Sequence, residues 1–241
     1  MTVRPAETGL TYYRRFTIRP SAGALEAHMQ DFCHHVRVLL THEDGRILTA
    51  TAEGLRLPWN TCPLGVAGVS RISGMTVADA QDLAKWPGGR TANCVHATDL
   101  TLVALAHLHD RESFTYNISV TPAMGRVRTA RIDRDGELLL EWSVEGTLLT
   151  HPERFAGSRL SRAEFTQWSA ELSPAEREAA TVLRRACHIA PSREINLDTM
   201  RVAADSIGAD ASCHTLQAGV IERARRNVGT SRPELTDADQ G

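Results

Sequence analysis

Two short stretches of this chain place cysteine, histidine and aspartate side chains where they could act together. Leu57-Pro-Trp-Asn-Thr-Cys-Pro63 sets Trp59, Asn60 and Cys62 in a turn stiffened by Pro58 and Pro63. Asn93-Cys-Val-His-Ala-Thr-Asp99 places Cys94, His96 and Asp99 at the start of an apolar helix. Such groups support acid–base transfer, metal binding or inert packing. For acid–base work, His34 or His96 takes a proton from a bound substrate, and Asp99, one turn beyond His96, orients the ring and fixes its tautomer. For metal binding, Cys62, Cys94 and His96, with His34 as a further candidate, make a mixed thiolate and imidazole set suited to zinc. A close Cys-x-x-Cys pair is missing, and a regular helix turns Cys94 and His96 to different sides. Cys94 in the first turn of a helix would feel the dipole that lowers a thiol pKa, whereas a covalent role for Cys62 needs an adjacent base. Each residue also has a plain packing explanation.

Composition narrows the classes of function. The 241 residues are 42% apolar, enough for a sizeable core, and 27 basic against 29 acidic residues leave no electrostatic footprint for nucleic acid. Apolar runs fall short of a membrane span, and the first residues lack the apolar stretch of a secretion signal, so the expectation is a cytoplasmic protein. The five cysteines are odd in number and scattered, unlike a secreted disulfide framework. Glycine-rich phosphate loops, dinucleotide fingerprints and a nucleophile-elbow serine are not found, which argues against kinases, Rossmann dehydrogenases and α/β-hydrolases. The expected partners are a small-molecule substrate and, at most, further copies of the chain; no cofactor is required, although zinc is possible.

The elements that must position these residues read as an α+β domain spanning 1–241. Tyr12 to Ile18 reads as a strand, and alternation in His34 to Leu40 places His34, Val36, Val38 and Leu40 on one face. Asp44-Gly45 and Asp135-Gly136 are two-residue hairpin turns, which predict an antiparallel sheet built from two similar hairpins within 1–155, with two inserted helices. Thr76 starts the first helix and Pro87 stops it; the second runs from about Ala92 to His109. The region 156–229 is expected to be helical: capping boxes open helices at Ser161 and Ser173, and a last helix runs from about His214 to Val228. Residues 230–241 are expected to fray. Cys187-His188 and Cys213-His214 read as packing residues at helix ends.

Several of these segments together resemble a bacterial family known as domain of unknown function 2889. They are the Arg14-Arg15 strand, His34-His-Val-Arg-Val with its Asp44-Gly45 hairpin, Pro58-Trp-Asn-Thr-Cys-Pro63, Cys94-Val-His-Ala-Thr-Asp99, Ser212-Cys-His-Thr-Leu-Gln217 and Ala224-Arg-Arg-Asn-Val-Gly-Thr-Ser-Arg232. His214 and Leu216 stand where the family typically has aromatic residues. The resemblance implies a role in bacteria that degrade aromatic and other cyclic compounds. The expected activity is a lyase of aromatic-compound catabolism: proton transfer by His34 or His96, with Asp99 as orienter, drives retro-aldol loss of a small fragment from a phenylpropanoid-like, lignin-derived substrate. Trp59, Asn60, Cys62 and Tyr116 would line the pocket. The alternative is a zinc-containing protein, either a metal-dependent hydrolase or a noncatalytic binding or assembly protein, with Cys62, Cys94 and His96 on the metal.

Overall fold

The computed structural model describes residues 11–89, 91–123, 126–205, 213–232 and 235. The fold is α+β. Its strands are β1 (Tyr12–Ser21), β2 (Ala24–Asp31), β3 (His35–Glu43), β4 (Arg46–Arg56), β5 (Phe114–Val120), β6 (Val127–Arg134), β7 (Glu137–Glu145) and β8 (Leu148–His151). They form one antiparallel sheet in the order β4-β3-β2-β1-β5-β6-β7-β8. The helices are α1 (Cys62–Val66), α2 (Val77–Ala80), α3 (Val95–Ala106), α4 (Arg162–Ser169) and α5 (Pro174–Ile189). Among the described residues, no helix is long and apolar enough to cross a membrane. The chain divides into two compact units: Phe16–Phe114 with Leu197–Leu235, and Thr115–Asn196 with the described residues up to Arg15.

In the first unit, β3 buries Val36, Val38 and Leu40, the pattern of a half-covered strand. Asp44 and Gly45 have φ of 46° and 72°, and Glu43 pairs with Arg46, as a two-residue turn with both central residues left-handed requires. Helix α3 packs on β2 and β3 and buries residues on most of its circumference, including His96, Asp99, Leu100 and Ala104. The helix expected from Thr76 to Pro87 is shorter than the sequence predicts. Thr76 does cap it, accepting from the Asp79 amide, but Asp82 then accepts from the Ala84 amide and starts a separate turn over Leu83–Lys85.

The helix expected over His214 to Val228 does not form. Short 3₁₀ turns cover His214–Leu216 and Ile221–Arg223, and Gly219 between them sits at φ 80°. The backbone beyond them bonds to distant segments instead: Asn60 N to Arg225 O at 3.0 Å, Asn227 N to Pro58 O at 2.9 Å, and Ala203 N to Ala224 O at 2.9 Å. Tertiary hydrogen bonds have displaced helical ones, and helix propensity is too weak to resist them. The start of the expected frayed tail is also anchored. Arg56 Nη1 donates to Thr230 O at 3.0 Å, and Arg232 N donates to Phe32 O at 2.6 Å. Most of that tail, 233–234 and 236–241, lies outside the described residues.

In the second unit, β5 alternates, burying Tyr116, Ile118 and Val120. Trp142 is fully buried and meets Phe155 and Trp168 edge-on. The capping box expected at Ser173 forms completely: Ser173 Oγ accepts from the Glu176 amide, and Glu176 accepts from the Ser173 amide. Ser173→Ala is therefore expected to destabilise the protein by about 1 kcal/mol, read as a lower thermal midpoint.

Candidate functional site

The polar cluster forms where β2 runs into β3. Asp31 N donates to His34 O at 3.0 Å, which closes a tight turn over Asp31-Phe-Cys-His34. The Asp31 carboxylate then caps that turn from inside, because Oδ1 accepts from the amides of His34 at 2.8 Å and Cys33 at 3.0 Å. His34 therefore sits in the turn before β3, not within the strand as the alternation suggests. Its Nδ1 lies 3.0 Å from Asp31 Oδ1, 3.2 Å from Oδ2 and 3.2 Å from Cys33 Sγ.

Helix α3 brings the second imidazole. His96 is in its first turn, and Nε2 lies 3.6 Å from Asp31 Oδ2. The two rings stack with centroids 3.8 Å apart and 25° between their planes. One carboxylate with no solvent exposure thus faces two imidazoles whose side chains are 12% and 10% exposed. Arg56 Nη2 donates to Asp31 O at 2.9 Å and fixes the turn from behind. Burial pushes the Cys33 thiol well up, and the neighbouring Asp31 carboxylate adds to this; Arg226 and Arg56 oppose it. In the absence of a cation, Cys33 is a neutral thiol.

A second set of side chains gathers at the start of α3. Cys94 is its N-cap, and the Cys94 amide donates to Gly65 O at 2.9 Å. The approach is close: a Cβ on Gly65 would stand 2.9 Å from His214 Cβ and 3.1 Å from Cys94 N. Cys62, the first residue of α1, accepts from Thr215 Oγ1 at 3.5 Å. Burial pushes its thiol up to about 11 and pushes the Cys94 thiol up as well, with Cys213 adding to both. The first-turn dipole expected to lower the Cys94 pKa is therefore outweighed by burial.

Two consequences follow for these thiols. Cys62 and Cys94 are poor nucleophiles at neutral pH, so alkylation by iodoacetamide in the native state should be far slower than after unfolding, as peptide mass spectrometry would read. A thiol whose pKa is raised on folding binds its proton more tightly in the native state. The stability tied to Cys62 is thus fully present below the ordinary thiol value of 9.0 and should decline as pH rises from there towards 11, which urea unfolding at stepped pH checks.

Asn60, Trp59 and Tyr116 make contacts of their own. Asn60 is exposed, and its Oδ1 accepts from Arg225 N at 2.8 Å. Trp59 is buried with the Arg226 guanidinium 5.9 Å from its ring centroid. Tyr116 belongs to the second unit, where its hydroxyl donates to Glu178 Oε1 at 2.8 Å. Asp99 is buried on α3. The expected metal set of Cys62, Cys94 and His96 does not assemble. Cys94 Sγ is 4.0 Å from His96 Nδ1, but the three residues with ligand atoms all within 4.8 Å of one another are, among the described residues, Asp31, Cys33 and His34. Cys94 and His96 do meet, so it is the Cys62 thiol that falls short of a shared ion with them.

Sequence reasoning missed Asp31 and Cys33. The signal available was local, an aspartate followed two and three residues later by Cys33 and His34, which is the spacing of a side chain that caps its own turn. No protein-family model matches the chain, and no curated protein matches it.

Proposed function

We propose that this chain is a cytoplasmic enzyme of small-molecule catabolism, a lyase that moves protons with the His34 and His96 imidazoles. The observation that carries the reading is the stacked imidazole pair over the buried Asp31 carboxylate. Asp31 orients the pair, and Asp99 keeps the orienting role expected of it on the His96 helix. In the reaction, an imidazole takes the proton of a hydroxyl β to a carbonyl. The O–H electrons form the C=O of a departing aldehyde, the carbon–carbon bond breaks, and its electron pair passes to the enolate. The imidazolium returns the proton to carbon, so no oxidant or reductant is consumed.

The aromatic, phenylpropanoid-like substrate class rests on the resemblance to domain of unknown function 2889, which is also the family we propose. Trp59 and Asn60 contribute by holding the 224–227 segment in place instead of touching the substrate. The test is aldehyde release from a panel of β-hydroxylated aromatic carbonyl compounds. Both His96→Ala and His34→Ala should lose at least about 10²-fold in turnover with unchanged circular dichroism. Full turnover in both variants would sink the reading.

A further inference from the structure

We propose that Asp31, Cys33 and His34 hold a divalent metal ion, zinc by the chemistry of the set, with His96 beside it. The decisive feature is the crowding of one atom. His34 Nδ1 lies within 3.0 to 3.2 Å of three heteroatoms, Asp31 Oδ1, Asp31 Oδ2 and Cys33 Sγ. The ligand atoms of Asp31, Cys33 and His34 all lie within 4.8 Å of one another, and a carboxylate, a thiol and an imidazole are the three donor types that bind zinc. A cation among them would draw on all three.

The separations suit that ion. Zinc bonds of ordinary length in a tetrahedron put two nitrogen or oxygen ligands about 3.3 Å apart, and a nitrogen and a sulfur about 3.5 Å apart. The edges here are 3.2 Å from His34 Nδ1 to Asp31 Oδ2 and 3.2 Å from Nδ1 to Cys33 Sγ, within a few tenths of an ångström of those values, and all three ligand atoms lie within 4.8 Å of one another. Charge closes as well, because a carboxylate and a thiolate neutralise a dication. Thiolate with imidazole and carboxylate selects zinc over magnesium or calcium. The amides of Cys33 and His34 on Asp31 Oδ1 supply the outer support that orients a ligating carboxylate and leave Oδ2 for the ion.

Three protein ligands leave a position open, which is the arrangement of a catalytic zinc. His96 is stacked face to face on His34, and so flanks the ion instead of completing its shell. For its part in the reaction, this inference rests on the lyase reading above: the ion polarises the substrate carbonyl oxygen, His34 becomes a ligand and His96 is the base. Binding of the ion is independent of that reading.

The test uses the full chain purified without chelator, equilibrated with Zn²⁺ or Co²⁺ and desalted. Stoichiometric metal by mass spectrometry is expected, together with a thiolate-to-cobalt charge-transfer band that Cys33→Ser removes and Cys187→Ser leaves. X-ray absorption of the wild-type zinc protein needs no variant, and should show a single sulfur among light-atom ligands. Folded wild-type protein that retains no metal, a shell rich in sulfur, or a band that survives Cys33→Ser would overturn the site. Metal bound as expected without aldehyde release upholds the site and removes only the reaction class. Undiminished aldehyde release from chelator-treated, metal-free protein upholds the reaction and overturns the ion's part in it.

Discussion

Replacing Asp31 by alanine should lower the unfolding free energy by about 3–5 kcal/mol and abolish turnover. The carboxylate has no solvent exposure, and Oδ1 alone accepts from two backbone amides, so the substitution orphans both donors inside the turn. Each unpaired buried donor costs about 1–3 kcal/mol, and loss of the charge facing His34 and His96 adds to that. Asp31→Asn separates structure from chemistry. Its side-chain carbonyl can still accept the two amides, so the loss of stability should be no more than about 2 kcal/mol, whereas turnover should still fall at least about 10²-fold once the charge opposite the imidazoles is gone. Urea unfolding and the aldehyde assay on the same two variants measure both quantities. An Asp31→Asn protein with wild-type turnover would leave Asp31 a purely structural role.

Arg226→Met is expected to cost about 3 kcal/mol. The Arg226 side chain is only 1% exposed, and its guanidinium donates to Pro58 O at 2.8 Å, Thr230 Oγ1 at 2.5 Å and Ser231 Oγ at 2.9 Å, while pairing with Asp198 at 2.8 Å. Methionine keeps an apolar stem beside Trp59 but takes the guanidinium donor from the two hydroxyls and leaves the Pro58 carbonyl only the Asn227 amide. Asp198 is 35% exposed and water can solvate it, so the main loss comes from the other three acceptors. Because Asn227 N also donates to Pro58 O and Arg232 N donates to Phe32 O, the variant should raise amide hydrogen exchange at both residues. Unchanged exchange there would show that the 226–232 segment is held without the guanidinium.

The two predictions test different ends of one construction. Arg56 joins them, since it donates to Asp31 O through Nη2 and to Thr230 O through Nη1. Loosening the 226–232 segment should therefore reach the Asp31 turn through a chain of hydrogen bonds, and Arg226→Met should lower turnover as well as stability.

What the sequence determined by itself was local. Alternation in β3 set its buried face, Asp44-Gly45 and Asp135-Gly136 set two turns with left-handed backbone, and Thr76 and Ser173 set helix starts. These rest on interactions among residues a few positions apart, and the tertiary structure had no reason to override them. His34 and His96 were legible as chemistry for the same reason, since few side chains other than histidine change charge near neutral pH.

Only the tertiary structure decided which groups meet. The pairing of β2 with β3 and the packing of α3 on both brought His96 to a carboxylate 65 positions earlier, at Asp31. Cys94 Sγ stayed within 4.0 Å of His96 Nδ1, but Cys62 did not join them, which left the expected thiolate and imidazole set incomplete. Residues 224–227 had the composition of a helix, but their backbone groups found partners at Pro58, Asn60, Arg201 and Ala203. Propensity differences of tenths of a kcal/mol per residue yield to buried hydrogen bonds worth about 1 kcal/mol each, and those partners lie too far along the chain for any local pattern to reveal.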